Sequence, residues 1–282
     1  MSLRTSSAIC LLGILLLIFP VYAIFEDLES GTRAEGIAGA FTAIADDALA
    51  IHFNPSGLAD IENSQAYAFY KSLFSGVDDN LHSAAFNFAY PQRKWGTFGI
   101  SIYESGITLL SQKSLTLAHG FNILEDLAFG YSLSGYNVSI ENFGQGYAFG
   151  LDVGFLAKIY RRWRVGFFAH NLNMPTMGKD DKSYLPRLLN VGIAYSPLPG
   201  INSCFDVSKE VGKDFRVMAG QELEIIPKTS LIGLTLRAGV STEPVRFAFG
   251  CGISLKMINI DYALFTHSEL PLTHNVGLNI TF

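Results

Sequence analysis

The stretch that decides the fold is residues 245–255, VRFAFGCGISL, in which large apolar side chains occupy every second position. One face of this stretch carries Val245, Phe247, Phe249, Cys251, Ile253 and Leu255, and the other carries Arg246, Ala248, Gly250, Gly252 and Ser254. A period of two is the period of a β-strand, whose successive side chains point to opposite faces. The stretch therefore predicts a strand with one apolar face and one face of small or polar side chains.

The same alternation recurs from about residue 65 to the end of the sequence. The segments lie near residues 65–72, 83–90, 96–105, 113–123, 126–138, 145–160, 163–172, 187–197, 201–209, 214–225, 230–242, 245–256, 257–266 and 273–282. Bacterial outer-membrane barrels normally have an even number of antiparallel strands. The pattern predicts an all-β protein, a transmembrane antiparallel β-barrel of about fourteen strands.

Alternation alone also describes a soluble β-sandwich, whose inner faces are apolar. The second face of each segment distinguishes a membrane barrel from a soluble sandwich, because this face consists mostly of Gly, Ala, Ser and Asn with isolated charges. A face exposed to water would carry Lys, Glu and Thr in quantity, whereas small residues with sparse charges suit the lumen of a barrel. The sequence therefore favours the barrel.

Composition excludes several other classes of protein. The chain is 49% hydrophobic and 16% charged, but no apolar run beyond its N-terminus is long enough for a spanning helix. A net charge of -5 and the lack of a large basic cluster exclude a nucleic-acid partner. The sequence contains no G-x-S-x-G, H-E-x-x-H or phosphate-binding motif, and its histidines are dispersed. We expect no enzyme, no cofactor and no metal site.

The first 23 residues are typical of an export signal, with Arg4, an apolar stretch over residues 8–19 and the small residue Ala23 at the expected cleavage site. An uncleaved N-terminal anchor is the alternative. The predicted organisation is a signal peptide over residues 1–23, an N-terminal segment over 24–63 and the barrel over 64–282. Cys204 and Cys251 fall on non-adjacent segments and opposite faces, so no disulfide is expected.

The connections between segments also alternate in length. If both ends of the barrel lie in the periplasm, the connections on that side are mostly tight turns and those on the outer side are mostly longer, as is typical of outer-membrane barrels. The last segment places an aromatic residue, Phe282, at the C-terminus on the apolar face. This end resembles the signature that the barrel-assembly machinery reads, and we expect insertion into the bacterial outer membrane after export.

Residues 31–59 have a different character and do not alternate. Their Ala-rich centre has weak helical spacing, and Asn54-Pro55 predicts a turn that ends any helix. Such a segment could fold inward as a plug or cap the periplasmic mouth of the barrel, and composition leaves both open. The acidic pair Asp46-Asp47 could bind a cation, but hydrogen bonds to loop amides or to lumen arginines are the favoured interpretation.

This run, GTRAEGIAGAFTAIADDALAIHFNPSGLA, resembles the N-terminal signature shared by FadL-type outer-membrane channels for hydrophobic compounds and by the PorV/PorQ group. The resemblance rests on Gly36, Gly39, Phe41, Asp46, Asp47, Asn54 and Pro55. It implies a fourteen-stranded barrel whose N-terminal segment forms a hatch in the lumen, with Asn54 and Pro55 in the hatch. In the FadL branch hydrophobic ligands bind in the barrel and leave through a lateral opening toward the outer membrane, and in the PorV branch the barrel serves secretion of large cargo to the surface.

Isolated charges are predicted to point into the lumen by the parity of their strands. They are Asp152, Arg216, Glu222, Arg237, Arg246 and Asp261. The arginines could form a selectivity patch for an anionic head group. The favoured alternative is that they pair with lumen acids and with the hatch, because a narrow barrel must neutralise most of its interior charge.

The function expected from the sequence is passive uptake of hydrophobic or amphipathic small molecules across the outer membrane. The alternative is a non-transport component of protein secretion or surface anchoring, as in the PorV/PorQ group. Expected partners are outer-membrane lipid, the barrel-assembly machinery, and either a hydrophobic ligand or secreted protein cargo.

Overall fold

A computed structural model describes residues 31–73, 81–107, 109–178, 183–267 and 271–282. The predicted signal peptide and the first residues of the predicted N-terminal segment lie outside the described residues.

The described residues form two short α-helices, one 3-10 helix and sixteen strands. The helices are α1 (Thr32–Glu35), α2 (Ala50–Phe53) and the 3-10 helix (Pro55–Asp60). The strands are β1 (Gln65–Ser72), β2 (His82–Gln92), β3 (Gly96–Ile107), β4 (Leu110–Leu124), β5 (Leu127–Ile140), β6 (Gly144–Ile159), β7 (Trp163–His170), β8 (Thr176–Met177), β9 (Ser183–Tyr184), β10 (Leu188–Tyr195), β11 (Ile201–Glu210), β12 (Phe215–Ile226), β13 (Gly233–Ser241), β14 (Arg246–Leu255), β15 (Ile258–Phe265) and β16 (Thr273–Thr281). None of these helices is long and apolar enough to cross a membrane.

Fourteen of the described strands close into one barrel. Each strand pairs with the next along the chain, β7 pairs with β10 because β8 and β9 form a separate small hairpin, and β16 returns to β1. All pairings are antiparallel, and the closing register runs from Gln65 opposite Thr281 to Ser72 opposite His274. The predicted all-β barrel of about fourteen strands is confirmed, and most predicted strand ends lie within three residues of the observed ones.

The apolar face of each strand points outward. On β14 the side chains of Phe247 and Phe249 are each 52% exposed, whereas Ala248 between them is 1% exposed. Large apolar side chains on the outer surface would be unfavourable in water, but they are required where lipid surrounds a barrel. The outer surface therefore fits a bilayer. Cys204 on β11 is buried, Cys251 on β14 is partly exposed, and both are free.

The two ends of the barrel differ. The amide of Phe282 donates to the carbonyl of Ser64 at 2.9 Å. The first strand therefore begins on the same side of the barrel on which the last strand ends, and we call this side the lower end. The connections at the lower end are residues 93–95, 125–126, 160–162, 196–200, 227–232 and 256–257. Those at the opposite, upper end are residues 73–81, 108–109, 141–143, 171–187, 211–214, 242–245 and 266–272. The longest of all, residues 171–187, contains β8 and β9.

Residues 31–62, which we call the inner segment, lie inside this barrel. Helix α1 contacts β14, β15 and β16 on one side, and the 3-10 helix contacts β3 to β6 on the other. Ile37, Phe41, Leu49 and Leu58 are fully buried. Inward glycines make room for the segment, because a methyl group at Gly239 would overlap its backbone at Ile37. The wall and the inner segment therefore pack directly against each other.

The expectation of weak helical character in the inner segment was largely wrong. Each α-helix has only four residues, and residues 36–39 and 42–44 form turns. Ala38 with φ 57° and Gly39 with φ 84° adopt left-handed backbone conformations, which reverse the chain and prevent a continuous helix. The predicted stop at Asn54-Pro55 is confirmed, since α2 ends at Phe53 and a 3-10 helix begins at Pro55.

Candidate functional site

A cluster of buried ion pairs joins the inner segment to the barrel wall. The Nη1 atom of Arg33 lies 2.5 Å from Asp46 and 2.9 Å from Asp47, and its Nη2 atom lies 3.0 Å from Glu222 on β12. The side chains of Arg33, Asp47 and Glu222 are each less than 10% exposed. Arg33 therefore links two acids of its own segment to one acid of the wall.

The cluster continues along the wall through Arg237 on β13. Its Nε atom lies 2.7 Å from Glu222 and its Nη1 atom lies 2.6 Å from Asp261 on β15. Arg237 and Asp261 are 6% and 5% exposed. Because Arg237 is buried and its charge is offset by two carboxylates, the geometry gives it a pairing role.

Burial and pairing compete at the two acids of the inner segment. Burial raises the pKa of Asp47, because the charged form loses its hydration, and Arg33 offsets this only in part. Burial also opposes ionisation of Asp46, but there the charge of Arg33 prevails and lowers the pKa. The pair binds an arginine in the described structure. Nowhere in the described ranges are three or more His, Cys, Asp or Glu side chains grouped to hold a metal ion.

Asn54 is a second attachment point of the inner segment. Its Nδ2 atom donates to the carbonyl of Thr42 at 2.9 Å and to that of Phe155 on β6 at 3.2 Å. Its Oδ1 atom accepts from the hydroxyl of Ser56 at 2.6 Å. Gly154 beside it leaves the necessary space, because a methyl group there would overlap the Asn54 side chain. Asn54 is fully buried, and it joins two parts of the segment to the wall.

The other residues of the predicted hatch motif pack around these attachments. Gly36 lies against Arg237, and Gly39 lies against Met218. The ring of Phe41 is fully buried and makes an edge contact with Phe53 at 5.2 Å between centroids. The motif residues therefore contribute shape and packing to the segment.

Sequence analysis missed a third attachment, which lies nearer the upper end. The ammonium group of Lys71 on β1 lies 2.9 Å from Glu35. Asn275 on β16 donates to the same carboxylate at 2.6 Å and accepts from Thr32 at 2.7 Å. Lys71 is fully buried. The sequence did contain one signal for this attachment. Alternation along β1 places Lys71 on the same inward face as Tyr67 and Phe69.

A cavity of about 710 Å³ lies above the inner segment, in the upper part of the lumen. Its floor includes Glu35, Ala38, Gly39 and His52. Its wall includes residues near the upper ends of strands on both sides of the barrel, among them Leu73, Ser114, Tyr136, Asp152, His170, Leu188, Arg216, Arg246 and Phe265. The cavity is large enough for a small organic molecule and presents both apolar and charged groups.

The structure separates the three arginines that the sequence grouped together. Arg237 is held in the ion-pair cluster, whereas Arg216 and Arg246 line the cavity. Among the described residues, Arg216 has no hydrogen-bond or ion-pair partner, and its Nε atom is shielded from solvent. The guanidinium of Arg246 lies 5.2 Å from the centroid of Phe265. The unpartnered Arg216 and the stacked Arg246 therefore line the same cavity, together with acids that include Glu210, Asp214 and Glu243.

Asp152 lies in the wall of this cavity but is occupied by wall contacts. It lies 2.9 Å from the Nδ1 atom of His170, and it accepts from Ser132 at 2.7 Å and from the amide of Asn171 at 2.8 Å. It is 3% exposed. Asp152 fixes the point where β7 ends and the long upper connection begins.

The wall beside Asp152 is built partly from side chains. Strand β6 extends further towards the upper end than β7 does. The pair of residues nearest that end is Val153 opposite Ala169. There the side chain of Asn173 accepts from the amide of Leu151 at 2.9 Å and donates to the carbonyl of Phe149 at 2.7 Å. The Asn173 side chain and a backbone hydrogen bond from Leu172 to Leu151 at 2.8 Å therefore replace strand pairing next to the cavity.

Phe282 lies apart from the lumen. Its side chain is 60% exposed at the lower end, and its amide pairs with Ser64. Recognition of this residue by the assembly machinery remains a prediction.

The fold resembles solved structures of FadL-type transporters. The Ralstonia pickettii toluene transporter TbuX aligns with a TM-score of 0.65 at 14% identity, over 91% of this chain and 99% of that one. The P. putida toluene transporter TodX aligns with a TM-score of 0.65 at 13% identity, over 91% and 99%. A Pseudomonas aeruginosa FadL homologue aligns with a TM-score of 0.61 at 12% identity, over 90% and 98%.

No protein-family model and no curated protein matches the sequence. At such low identity the structural likeness establishes the fold alone. The chain has the fold of the FadL-like barrels, as its N-terminal run and its alternation led us to expect.

Proposed function

We propose that this protein is a passive outer-membrane channel for small amphipathic molecules. The observation that carries the proposal is the cavity above the inner segment, inside a barrel whose outer surface fits a lipid bilayer. The structural likeness to toluene transporters and to a FadL homologue supports transport as the general role. The mixed lining favours an amphipathic molecule over a purely hydrophobic one.

Two groups in the cavity suggest how such a molecule would bind. An unpartnered arginine in a partly buried site is suited to a carboxylate or another anionic head group, because the charge-assisted hydrogen bonds would replace lost hydration. Arg216 is that residue, and Arg246 lies on the same side of the barrel. Ala38, Leu188 and Phe265 would contact the apolar part of the ligand.

Passage would require movement below the cavity. The ligand would enter from the upper end, rest against the two arginines, and leave when part of the inner segment near Asn54 and Pro55 shifts. The inner segment would then act as a hatch. The ion pairs of Arg33 and the hydrogen bonds of Asn54 would set how readily it moves.

Uptake into vesicles tests this proposal. Purified barrel is reconstituted in liposomes, and entry of an aromatic carboxylate is compared with entry of its uncharged amide. We expect the carboxylate to enter faster through wild-type protein and to lose this advantage in an Arg216→Ala, Arg246→Ala variant. Lys113→Ala, which removes an exposed cation outside the cavity, is the matched control.

The secretion alternative predicts a different result. A barrel that only receives or anchors secreted proteins would give no uptake of either probe above empty liposomes and would co-purify with protein cargo from its native membrane. The structural likenesses give that alternative no support.

A further inference from the structure

Two turns at the lower end carry the same arrangement of side chains. Arg93-Lys94-Trp95 joins β2 to β3, and Arg161-Arg162-Trp163 joins β6 to β7. All six residues are exposed. In each turn two adjacent cations are followed at once by a tryptophan, at the level where the strands leave the apolar outer surface.

The four cations of these turns have no acidic partner among the described residues. This distinguishes them from the basic residues just inside the lumen. Lys158 and Arg164 lie 2.7 Å and 2.6 Å from the two carboxylate oxygens of Asp60, so these two cations share one carboxylate of the inner segment. The four cations of the turns have no such contact and remain available to a ligand.

The tryptophans follow these cations directly in the sequence, and their rings make different contacts. The amide of Trp95 donates to the carbonyl of Gln92 at 3.1 Å, and Lys94 lies 5.4 Å from the centroid of the Trp95 ring. The ring of Trp163 stacks on Tyr195 at 4.4 Å between centroids. Tryptophan rings favour the boundary between lipid tails and head groups, so the neighbouring cations would lie at the level of lipid phosphates.

In the described connections of the upper end, the exposed charges that lack an ion-pair partner are acidic, since the exposed cation Lys213 pairs with Glu210. Glu141, Asp214 and Glu243 are exposed in its connections, and none of them has a partner among the described residues. At the lower end, the turn of Glu125 and Asp126 between β4 and β5 separates the two basic turns. The lower end therefore presents two separate basic sites, and a single continuous patch is excluded.

We propose that these two turns bind the phosphate head groups of anionic phospholipids. The lower end would lie in the phospholipid leaflet that faces the periplasm, and the upper end would face outward. Each site would combine a pair of cations for the phosphate with a tryptophan at the glycerol level. This inference does not depend on what the cavity transports.

Lipid binding can be counted by native mass spectrometry. The folded barrel is released from micelles that contain equal amounts of phosphatidylglycerol and phosphatidylcholine, and the retained lipids are identified. We expect wild-type protein to retain phosphatidylglycerol several-fold over phosphatidylcholine. Removing either basic pair, as Arg93→Gln with Lys94→Gln or Arg161→Gln with Arg162→Gln, should reduce the preference, and removing both pairs should abolish it.

The control removes two cations from the upper half of the barrel, as Lys113→Gln with Lys209→Gln, and should leave the preference unchanged. An equal loss in this control, or no preference in wild-type protein, would overturn the proposal. Displacement of the retained lipid by soluble glycerol phosphate would also count against it, because the sites would then take a free phosphate. Each variant is checked by gel electrophoresis, in which a folded barrel migrates more slowly after heating than before it. Uptake through the cavity would be measured separately, and its failure would leave the lipid result intact.

Discussion

At the scale of single residues, His52 of the inner segment is a buried group whose protonation should affect stability. Its Nε2 atom lies 3.1 Å from the side-chain oxygen of Asn87 and 2.7 Å from the hydroxyl of Ser101. Burial lowers the pKa of His52 to about 4, although Asn87 and the charge of Asp152 act in the opposite direction. The neutral ring is therefore part of the folded structure.

Because an unfolded histidine has a pKa of about 6.5, protonation favours the unfolded state as the pH falls. The stability that the neutral ring contributes is present above about pH 6.5 and is lost progressively as the pH drops towards 4. We expect wild-type protein to lose more stability over this range than His52→Gln, measured by urea unfolding in detergent. His119→Gln, whose ring stacks on Phe98 outside the lumen, should keep the wild-type loss.

The amide of Asn54 offers a second test at this scale. Asn54→Ala removes the hydrogen bonds to Thr42, Phe155 and Ser56 and leaves their buried polar groups without this partner. A loss of about 1–3 kcal/mol in the free energy of unfolding is expected. Asn137→Ala, which loses only a long 3.4 Å hydrogen bond on the barrel wall, is the control. An equal loss in the two variants would refute a special role for Asn54.

At the scale of elements, the strands and the inner segment were predictable to different degrees. Alternation in residues 245–255 is a local property, and it located β14 to within one residue at its start and end. The small hairpin of β8 and β9 was missed, because two-residue strands are too short to show a period. Its sequence, like that of other long connections, carries no regular pattern.

The contacts of the inner segment could be predicted only in part. Parity placed Arg237 and Asp261 on the inward face, but it could not separate Arg237, which pairs with Glu222, from Arg216, which has no partner. That difference depends on the height of each residue relative to the inner segment. The backbone turn at Ala38 and Gly39 contributes to this height, and it packs against β12 and β13, where Gly39 lies against Met218 and Ala38 against Gly239.

Strand β5 supplies a matched pair of glycines that tests the fit of wall and inner segment. A methyl group at Gly130 would overlap the backbone of Pro55 and Ser56, whereas the nearest atom to a methyl group at Gly135 is 3.7 Å away, in Phe149. We expect Gly130→Ala to displace the inner segment and to expose it to protease in the folded barrel. Gly135→Ala should fold and resist protease like wild-type protein. Equal resistance of both variants would show that the segment does not pack against β5 as described.

At the scale of the whole molecule, two features have to be reconciled. The barrel needs a filled lumen, because its inward glycines and buried charges are satisfied by the inner segment. The proposed transport needs an opening through that same lumen. Both requirements can be met if the attachments differ in strength, so that one side of the segment shifts while the other stays fixed.

The ion-pair cluster is the attachment whose removal should open the barrel most. An Arg33→Ala, Arg237→Ala variant would leave the buried carboxylates of Glu222 and Asp261 without their cations, and their repulsion and need for water would draw solvent between the inner segment and the β12 to β15 side of the wall. We expect wild-type barrels in planar lipid bilayers to be largely closed to small ions and the double variant to show frequent large openings.

Lys113→Ala, which removes only an exposed ion pair with Glu104, should remain closed. Openings of equal frequency in wild-type protein and the double variant would mean that the cluster does not hold the lumen shut. An unchanged conductance together with an altered preference between charged and uncharged probes would place Arg237 among the ligand-selecting groups. The distances of 2.7 Å and 2.6 Å to its two carboxylates argue for the closing role, because a ligand anion would have to compete with both.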